Sequence, residues 1–149
     1  MKKITLYTDG ACSGNPGKGG WAAILSYNNH EKVLSGGESQ TTNNRMELMA
    51  VISGLAALKE RCRIDIYSDS AYVVNAFLQG WTTSWIENSW KTSSNKQVQN
   101  VDLWQQLIKL ADEHEISWNK VKGHADNELN NRCDKIARGE IEKLNKKDA

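Results

Sequence analysis

The amino-acid sequence predicts an α/β fold in which a five-stranded mixed sheet is flanked by four to five helices. Two observations support this prediction. Three β-type segments follow one another at the start with connections too short for helical crossovers, which favours an antiparallel meander. Each later strand follows a segment whose apolar residues recur at helical spacing, which favours parallel strands covered by helices. The predicted order is therefore βββαβα(α)αβα.

The first three strands show the alternation of a half-buried sheet. In the first strand, Leu6 and Tyr7 lie on opposite faces, and Gly10 is expected to end the strand just after Asp9. Residues 11–20 contain the only proline and four glycines, a composition typical of a turn. The three strands are predicted at residues 3–10, 21–27 and 31–38.

The rest of the chain alternates between helical and strand-like segments. Apolar side chains at helical spacing predict four helices, and the spacing of Trp81 and Trp85 indicates a further short one. Asp102 followed by Gln105 predicts a capping box at the start of a helix. The four helices are predicted at residues 43–60, 70–78, 101–113 and 126–144, the two later strands at residues 63–69 and 115–121, and a frayed tail at residues 145–149.

The composition indicates a globular protein of one domain, spanning residues 1–149. No window approaches the roughly 20 apolar residues that a membrane span needs, and the N-terminus runs straight into a strand without a signal-peptide pattern. Cys12, Cys62 and Cys133 are odd in number and widely spaced, so free thiols in the cytoplasm are expected. A zinc site formed by these cysteines and His124 is disfavoured, because no Cys-x-x-Cys pair is present.

Four acidic residues lie at comparable junctions of this pattern, and each has a structural explanation of its own. Asp9 precedes Gly10 in a common turn dipeptide. Glu47 follows Asn44 at the spacing of a capping box, and Asp69 precedes the helix-starting Ser70. Asp134 fits an ordinary solvated position of the last helix.

Together the four acids suggest a site. If the strands before Asp9 and Asp69 are adjacent and parallel, both carboxylates emerge at one edge of the sheet, where α/β proteins place their sites. Glu47 lies in the first turns of the helix between them, and Asp134 lies beside the buried stripe of the last helix. Converging acids raise one another's pKa and favour bound divalent cations, and oxygen-only ligands indicate Mg²⁺ or Mn²⁺. Two such ions suit in-line displacement at a phosphodiester.

The motifs around these acids are residues 7–17 (YTDGACSGNPG), 41–48 (TTNNRMEL), 67–70 (YSDS), 121–124 (VKGH) and 131–134 (NRCD). They closely resemble those of bacterial type 1 ribonuclease H. The resemblance runs from residue 3 to about 138 in the family's order and spacing, and agreement among separate blocks is more specific than any one of them. It implies the ribonuclease H fold and cleavage of the RNA strand of RNA–DNA hybrids, with 3′-hydroxyl and 5′-phosphate ends.

The resemblance also implies roles for five catalytic residues. Asp9 would bridge two metal ions, and Glu47 and Asp69 would join it on the ion at the leaving group. Asp134 would hold the ion that activates water. His124 would aid proton transfer or product departure, although a lone loop histidine is usually just an exposed side chain.

A groove for the hybrid is predicted beside the acids. RNA is distinguished by its 2′-hydroxyls, and short amides can both donate to and accept from them. Turn chemistry and helix capping explain the same amides without a ligand. By resemblance, a DNA phosphate would be bound in a pocket nearby. Many relatives have an arginine at the position of Gln40, so this pocket is expected to bind phosphate more weakly here. The predicted groove residues are Cys12, Asn15, Asn43 and Asn44, and the predicted phosphate contacts are Thr42 and Asn100.

Residues 81–96 correspond to the family's handle, a basic protrusion that holds the DNA strand in relatives. The chain contains six tryptophans and one phenylalanine. The handle contains Lys91 and Lys96 but little other charge. Trp81, Trp85 and Lys91 are its predicted substrate contacts. Alternatively, the tryptophans pack the handle onto the helix that bears Trp104. Weaker binding with a shallower salt dependence than in basic-handled relatives is expected.

The net charge of +1 neither demands nor excludes a nucleic-acid partner. The leading interpretation is a Mg²⁺-dependent endoribonuclease that acts on RNA–DNA hybrids, in which Mn²⁺ can replace Mg²⁺. The enzyme is expected to be a monomer, with no obligate protein partner and no association with a membrane. The alternatives are a non-catalytic hybrid-binding module, a nuclease of the same fold that acts on another duplex, and an acidic Ca²⁺-binding protein.

Overall fold

The computed structural model describes residues 1–122 and 127–148, which form five strands and five helices. The strands are β1 (Lys2–Gly14), β2 (Gly17–Tyr27), β3 (His30–Thr41), β4 (Cys62–Ser68) and β5 (Glu115–Lys120). The helices are α1 (Asn43–Ala56), α2 (Ala71–Leu78), α3 (Trp81–Glu87), α4 (Val101–Ala111) and α5 (Glu128–Asp148). This element order confirms the predicted fold class, including the short helix at the tryptophan-rich segment.

The five strands form one mixed sheet in the order β3-β2-β1-β4-β5. β1, β2 and β3 pair antiparallel, which confirms the predicted meander, whereas β1–β4 and β4–β5 pair parallel. β1 therefore lies at the centre, with an antiparallel neighbour on one side and a parallel neighbour on the other. This arrangement places the carboxyl ends of β1 and β4 at the same edge.

Helices cover both faces of the sheet. On one face, Leu6, Ile64 and Ile66 pack with α1 and α4 in the larger core cluster, which includes the fully buried Trp104. On the other face, α5 packs Cys133 and Ala137 against β2. The helix lies so close to the sheet that a Cβ atom at Gly20 would collide with the carbonyl of Ala137.

The first strand is longer than predicted. Its pairing with β2 continues from Asp9 opposite Ala22 to Gly14 opposite Gly17, so Gly10 does not end it. The turn expected over residues 11–20 is confined to Asn15 and Pro16. The glycines in this region allow close packing of β1 and β2 against helices. A longer turn was predicted because glycines are equally abundant in turns.

The helix caps also differ from the prediction. The cap of α1 is Thr42, whose hydroxyl oxygen accepts from the backbone N–H of Arg45, so Asn44 and Glu47 form no capping box. Asn100 precedes α4 without a side-chain cap, and Asp102 pairs with Arg45 instead of forming a capping box with Gln105. At α4 a tertiary contact competes with the local one, whereas at α1 the local cap lies at Thr42 and not at Asn44.

The ends of two helices shift as well. α1 ends at Ala56 and not near residue 60. α5 extends to Asp148, through most of the tail predicted to fray, and Asn145 there accepts from the ammonium of Lys18 at 3.0 Å. Among the described residues, no helix is both long and apolar enough to span a membrane.

Candidate active site

Two of the predicted acids lie where the parallel pairing of β1 and β4 ends. That pairing runs from Lys2 opposite Cys62 to Tyr7 opposite Tyr67. Asp9 follows two residues later on β1, and Asp69 directly follows β4. Both carboxylates therefore lie at the carboxyl edge of the parallel strands, as the sequence predicted, although β1 itself continues beyond Asp9.

The third acid, Glu47, reaches this edge from the first turns of α1. The start of α1 lies directly against β1, since a Cβ atom at Gly10 would collide with the backbone of Met46 and Glu47. One oxygen from each of Asp9, Glu47 and Asp69 lies within 4.8 Å of the others. The structure thus brings together three acids that are separated by 22 to 60 positions in the sequence.

The cluster is mostly removed from water. Asp9 is 3% exposed, Glu47 is 5% exposed, and Asp69 is half-buried. Burial raises the pKa of Asp9 to about 8, and the charges of Asp69 and Asp134 add to the rise. Burial, followed by the charges of Asp9 and Asp69, holds the pKa of Glu47 well above its usual range. The site therefore resists carrying its full negative charge without a cation.

The cluster has the chemistry of a divalent-metal site. Its donors are all carboxylate oxygens, which hard cations prefer. Oε1 of Glu47 is buried and has no hydrogen-bond partner among residues 1–122 and 127–148. A buried acceptor without a donor is costly, and a bound cation would remove that cost. These observations fit metal binding.

Asp134 lies beside the cluster on α5. It is half-buried, and its side chain interacts with that of Asp9, which adds to the raised pKa of Asp9. Cys133 fixes α5 at this point, because its thiol is fully buried and donates to the carbonyl of Tyr7 at 3.4 Å. Arg138 pairs with Asp134 at 2.7 Å. His124 lies outside the described residues.

The predicted groove residues gather on the hairpin between β1 and β2 and at the start of α1. Oδ1 of Asn15 accepts from the backbone N–H of Asn43 at 3.1 Å, which ties the hairpin to the helix. Cys12 is half-buried, and its thiol donates to the carbonyl of Thr41. Asn43 is exposed and Asn44 is half-buried, so the structure leaves amide groups accessible beside the acids.

Comparisons with known proteins match nearly the whole chain. The family model described as RNase H matches residues 1–142. The ribonuclease H of Acetivibrio thermocellus is 63% identical over 147 residues, which cover 99% of this chain and 100% of the relative.

The chain belongs to the ribonuclease H family. Bacterial relatives with this identity and coverage support its placement as a bacterial type 1 member. Their shared name favours the catalytic interpretation over a non-catalytic binding module.

Solved structures agree with this ribonuclease H fold. LC9-RNase H1, described as a type 1 RNase H with the type 2 active-site motif, has a TM-score of 0.84 at 28% identity, with 93% of this chain and 72% of that chain covered. LC11-RNase H1, solved in complex with an RNA/DNA hybrid, has a TM-score of 0.63 at 24% identity, with 95% and 98% covered, and shows the fold alone.

The handle of this ribonuclease H is built on aromatic packing. Trp85 lies edge-on to the fully buried Trp104, with ring centroids 5.1 Å apart, and Trp90 is tilted against Trp85. The tryptophans therefore do pack the handle onto α4, as the structural alternative expected. Trp81 is different, because 38% of it is exposed, and it borders the same surface groove as Trp85 and Lys91.

Two residues near the predicted phosphate contacts were not identified from the sequence. Arg45 contacts both Asp102 and Asn100, and the hydroxyl of Tyr72 accepts from Asn100. Arg45 lies inside the motif of residues 41–48. Its position as a single cation among polar groove residues is the sequence signal that could have indicated a role. The role of the Tyr72 hydroxyl depends on contacts 28 and 32 positions away in the sequence, which no local pattern indicates.

Proposed function

We propose that this protein is an endoribonuclease that hydrolyses the RNA strand of RNA–DNA hybrids and leaves 5′-phosphate and 3′-hydroxyl ends. The observation that carries the proposal is the buried carboxylate cluster of Asp9, Glu47 and Asp69, with its unpartnered glutamate oxygen. Membership of the ribonuclease H family supports it further. Residues 1–149 would act as one domain.

The proposed cofactor is Mg²⁺, with two ions during catalysis, and Mn²⁺ can substitute. When bound, the ions supply activation of the attacking water and stabilisation of the leaving oxygen. Asp9, Glu47, Asp69 and Asp134 would hold them. Asp9 would be central among them, because it interacts with each of the other acids. The low exposure of Asp9 and Glu47 would keep their carboxylates fixed for catalysis.

The remaining proposed residues move a proton or bind the hybrid. His124 would assist proton transfer or product departure. Cys12, Asn15, Asn43 and Asn44 would contact the RNA strand, where accessible amides can recognise 2′-hydroxyls.

The DNA strand would lie on the other side of the groove. Thr42 and Asn100 would bind a phosphate, and Trp81, Trp85 and Lys91 would contact the strand from the handle. LC11-RNase H1 has been solved with an RNA/DNA hybrid, which supports a hybrid as the substrate of this fold. We further propose a cytoplasmic monomer without an obligate protein partner.

A cleavage assay with matched hybrid, double-stranded RNA and double-stranded DNA tests this function. We expect cleavage of the RNA in the hybrid with Mg²⁺, none with a chelator, and a loss of at least about 100-fold in kcat for Asp69→Asn. Asp65→Asn is the matched control, because this half-buried acid lies on β4, four residues before Asp69, and is not among the three clustered acids of the described residues. Undiminished cleavage by Asp69→Asn, or cleavage without metal, would exclude the proposed mechanism.

A further inference from the structure

A chain of hydrogen bonds joins the start of α1 to α2 and α4 beside the proposed phosphate contacts. Arg45 holds the carboxylate of Asp102 with two parallel bonds, Nη1–Oδ1 at 3.0 Å and Nη2–Oδ2 at 2.8 Å. Nη1 also donates to Oδ1 of Asn100 at 3.2 Å. A bidentate pair of this kind fixes the plane of the guanidinium and not only its charge.

The side-chain amide of Asn100 is oriented from two sides. Arg45 has only donors, so Oδ1 and not Nδ2 must face it. Nδ2 donates to the hydroxyl oxygen of Tyr72 at 3.1 Å, and the same oxygen accepts from Nε1 of Trp104 at 2.9 Å. Because Trp104 is fully buried, this end of the hydrogen-bond chain is anchored in the core. A flipped amide would set an N–H group against the guanidinium.

Arg45 uses acceptors on both proposed phosphate contacts. Its guanidinium donates to Oδ1 of Asn100, and its backbone N–H donates to Oγ1 of Thr42 at 3.2 Å. The groups left for a ligand include two donors, namely the second amide hydrogen of Asn100 and the hydroxyl hydrogen of Thr42. A phosphate offers only acceptors at neutral pH, so these two neutral side chains can serve it as donors.

We propose that Arg45 is a positioning residue for DNA-strand binding, which orients Asn100 and leaves the donors of Asn100 and Thr42 free for a phosphate. Asp102 in turn orients Arg45. Asp102 and Asn100 engage three of the five N–H groups of the Arg45 guanidinium, so its proposed role is positioning and not direct phosphate contact. This inference rests on the proposed function, since it takes the hybrid as the substrate.

Steady-state cleavage of the hybrid by Arg45→Met tests the proposal. We expect KM to rise about tenfold with kcat within about twofold, since a misoriented Asn100 costs about one charge-assisted hydrogen bond. The slope of log(kcat/KM) against log[salt] should stay unchanged, whereas loss of a direct phosphate contact would reduce it by about one. Arg63→Met is the matched control, because Arg63 also pairs with an acid, Glu115, but on the exposed sheet surface.

A double-mutant cycle separates positioning from a general loss of structure. Asn100→Gly removes the side chain and suits the left-handed backbone of residue 100, whose φ is 60°. In this background, Arg45→Met should change KM by less than about twofold. Should Arg45→Met unfold, Asp102→Asn serves instead, since this exposed acid can be neutralised without opening the core.

Three outcomes overturn the inference. An unchanged KM in Arg45→Met would show that Asn100 needs no positioning. A salt slope reduced by about one would make Arg45 a direct contact. An equal effect in the Asn100→Gly background would make its role independent of Asn100. If the unmodified enzyme does not cleave the hybrid at all, the proposed function fails first, which distinguishes the two failures.

Discussion

The backbone of Glu47 lies directly against Gly10, with no room for a side chain at residue 10. This contact places the start of α1 on β1 and brings the carboxylate of Glu47 to that of Asp9. Gly10→Ala should therefore push α1 away from the sheet. We expect a loss of about 2 kcal/mol in the free energy of unfolding and of about 100-fold in kcat, because small displacements of catalytic groups are costly. Chemical denaturation and hybrid cleavage measure the two effects.

Gly139→Ala is the matched control for this substitution. Nothing described lies within 4 Å of a Cβ atom at residue 139, which is inside α5. Alanine favours a helix interior over glycine, so stability should rise by about 0.5–1 kcal/mol with activity unchanged. If both variants behave alike, the contact between residue 10 and α1 is not what positions Glu47.

The raised pKa of Asp9 predicts how the metal-free protein responds to pH. The pKa of Asp9 is about 8 in the folded protein against 3.8 for the free side chain, so the folded state binds more protons between these values. The free energy of unfolding should therefore fall as pH rises from about 4 to 8 and change little from this group outside that window. Thermal melts in chelator across this pH range measure the fall.

Asp9→Asn should flatten that pH dependence and stabilise the metal-free protein at pH 8. The variant removes a buried charge from beside Asp69 and Asp134, and its Oδ1 can still accept from the N–H of Gly10, as Asp9 does at 2.9 Å. A rise of several degrees in Tm is expected, since about 1 kcal/mol shifts Tm by about 2–4 °C at this size. Asp112→Asn, at an exposed helix end, is the control. A lower Tm for Asp9→Asn would contradict the repulsion.

Added Mg²⁺ should reverse the same destabilisation in the unmodified protein. A cation that binds only the folded state at about ten times its Kd stabilises by about 1.4 kcal/mol, which corresponds to about 3–6 °C in Tm. Melts at pH 8 with and without Mg²⁺ measure this shift. Glu47→Gln should abolish most of it, while Asp65→Asn should keep it. A shift that survives in Glu47→Gln would place the cation elsewhere.

The sequence predicted the convergence of Asp9 and Asp69 because the strand pattern before each acid is local information. Asp9 and Asp69 follow strands with matching alternation, and their parallel pairing brings them to one edge of the sheet. Local pattern failed where a distant group competed. The cap of α1 was expected at Asn43 or Asn44, but the distant Asn15 accepts from the N–H of Asn43, and the adjacent Thr42 caps the helix. The end of β1 was misplaced because Gly10 permits close packing of α1, and no neighbouring residue in the sequence reveals that contact.

The two handle tryptophans should respond differently to truncation. Trp81 is exposed, so Trp81→Ala should raise KM about tenfold through lost stacking and leave Tm nearly unchanged. Trp85 packs on Trp104 and Trp90, so Trp85→Ala should lower the free energy of unfolding by about 2 kcal/mol. Parallel melts and cleavage kinetics distinguish the two effects. Equal losses of stability would mean that Trp81 is also part of the handle's packing.

Lys91 should set part of the salt dependence of hybrid binding. It is exposed and borders the groove of Trp81 and Trp85, and a cation on a phosphate contributes about one to the slope of log affinity against log[salt]. Lys91→Ala should therefore weaken binding and make the slope shallower by about one. Lys59→Ala, an exposed lysine just past the far end of α1, should change neither quantity. Hybrid binding by the Asp69→Asn variant at several salt concentrations provides the measurement, and a slope that is equal with and without Lys91 would remove this lysine from the DNA contacts.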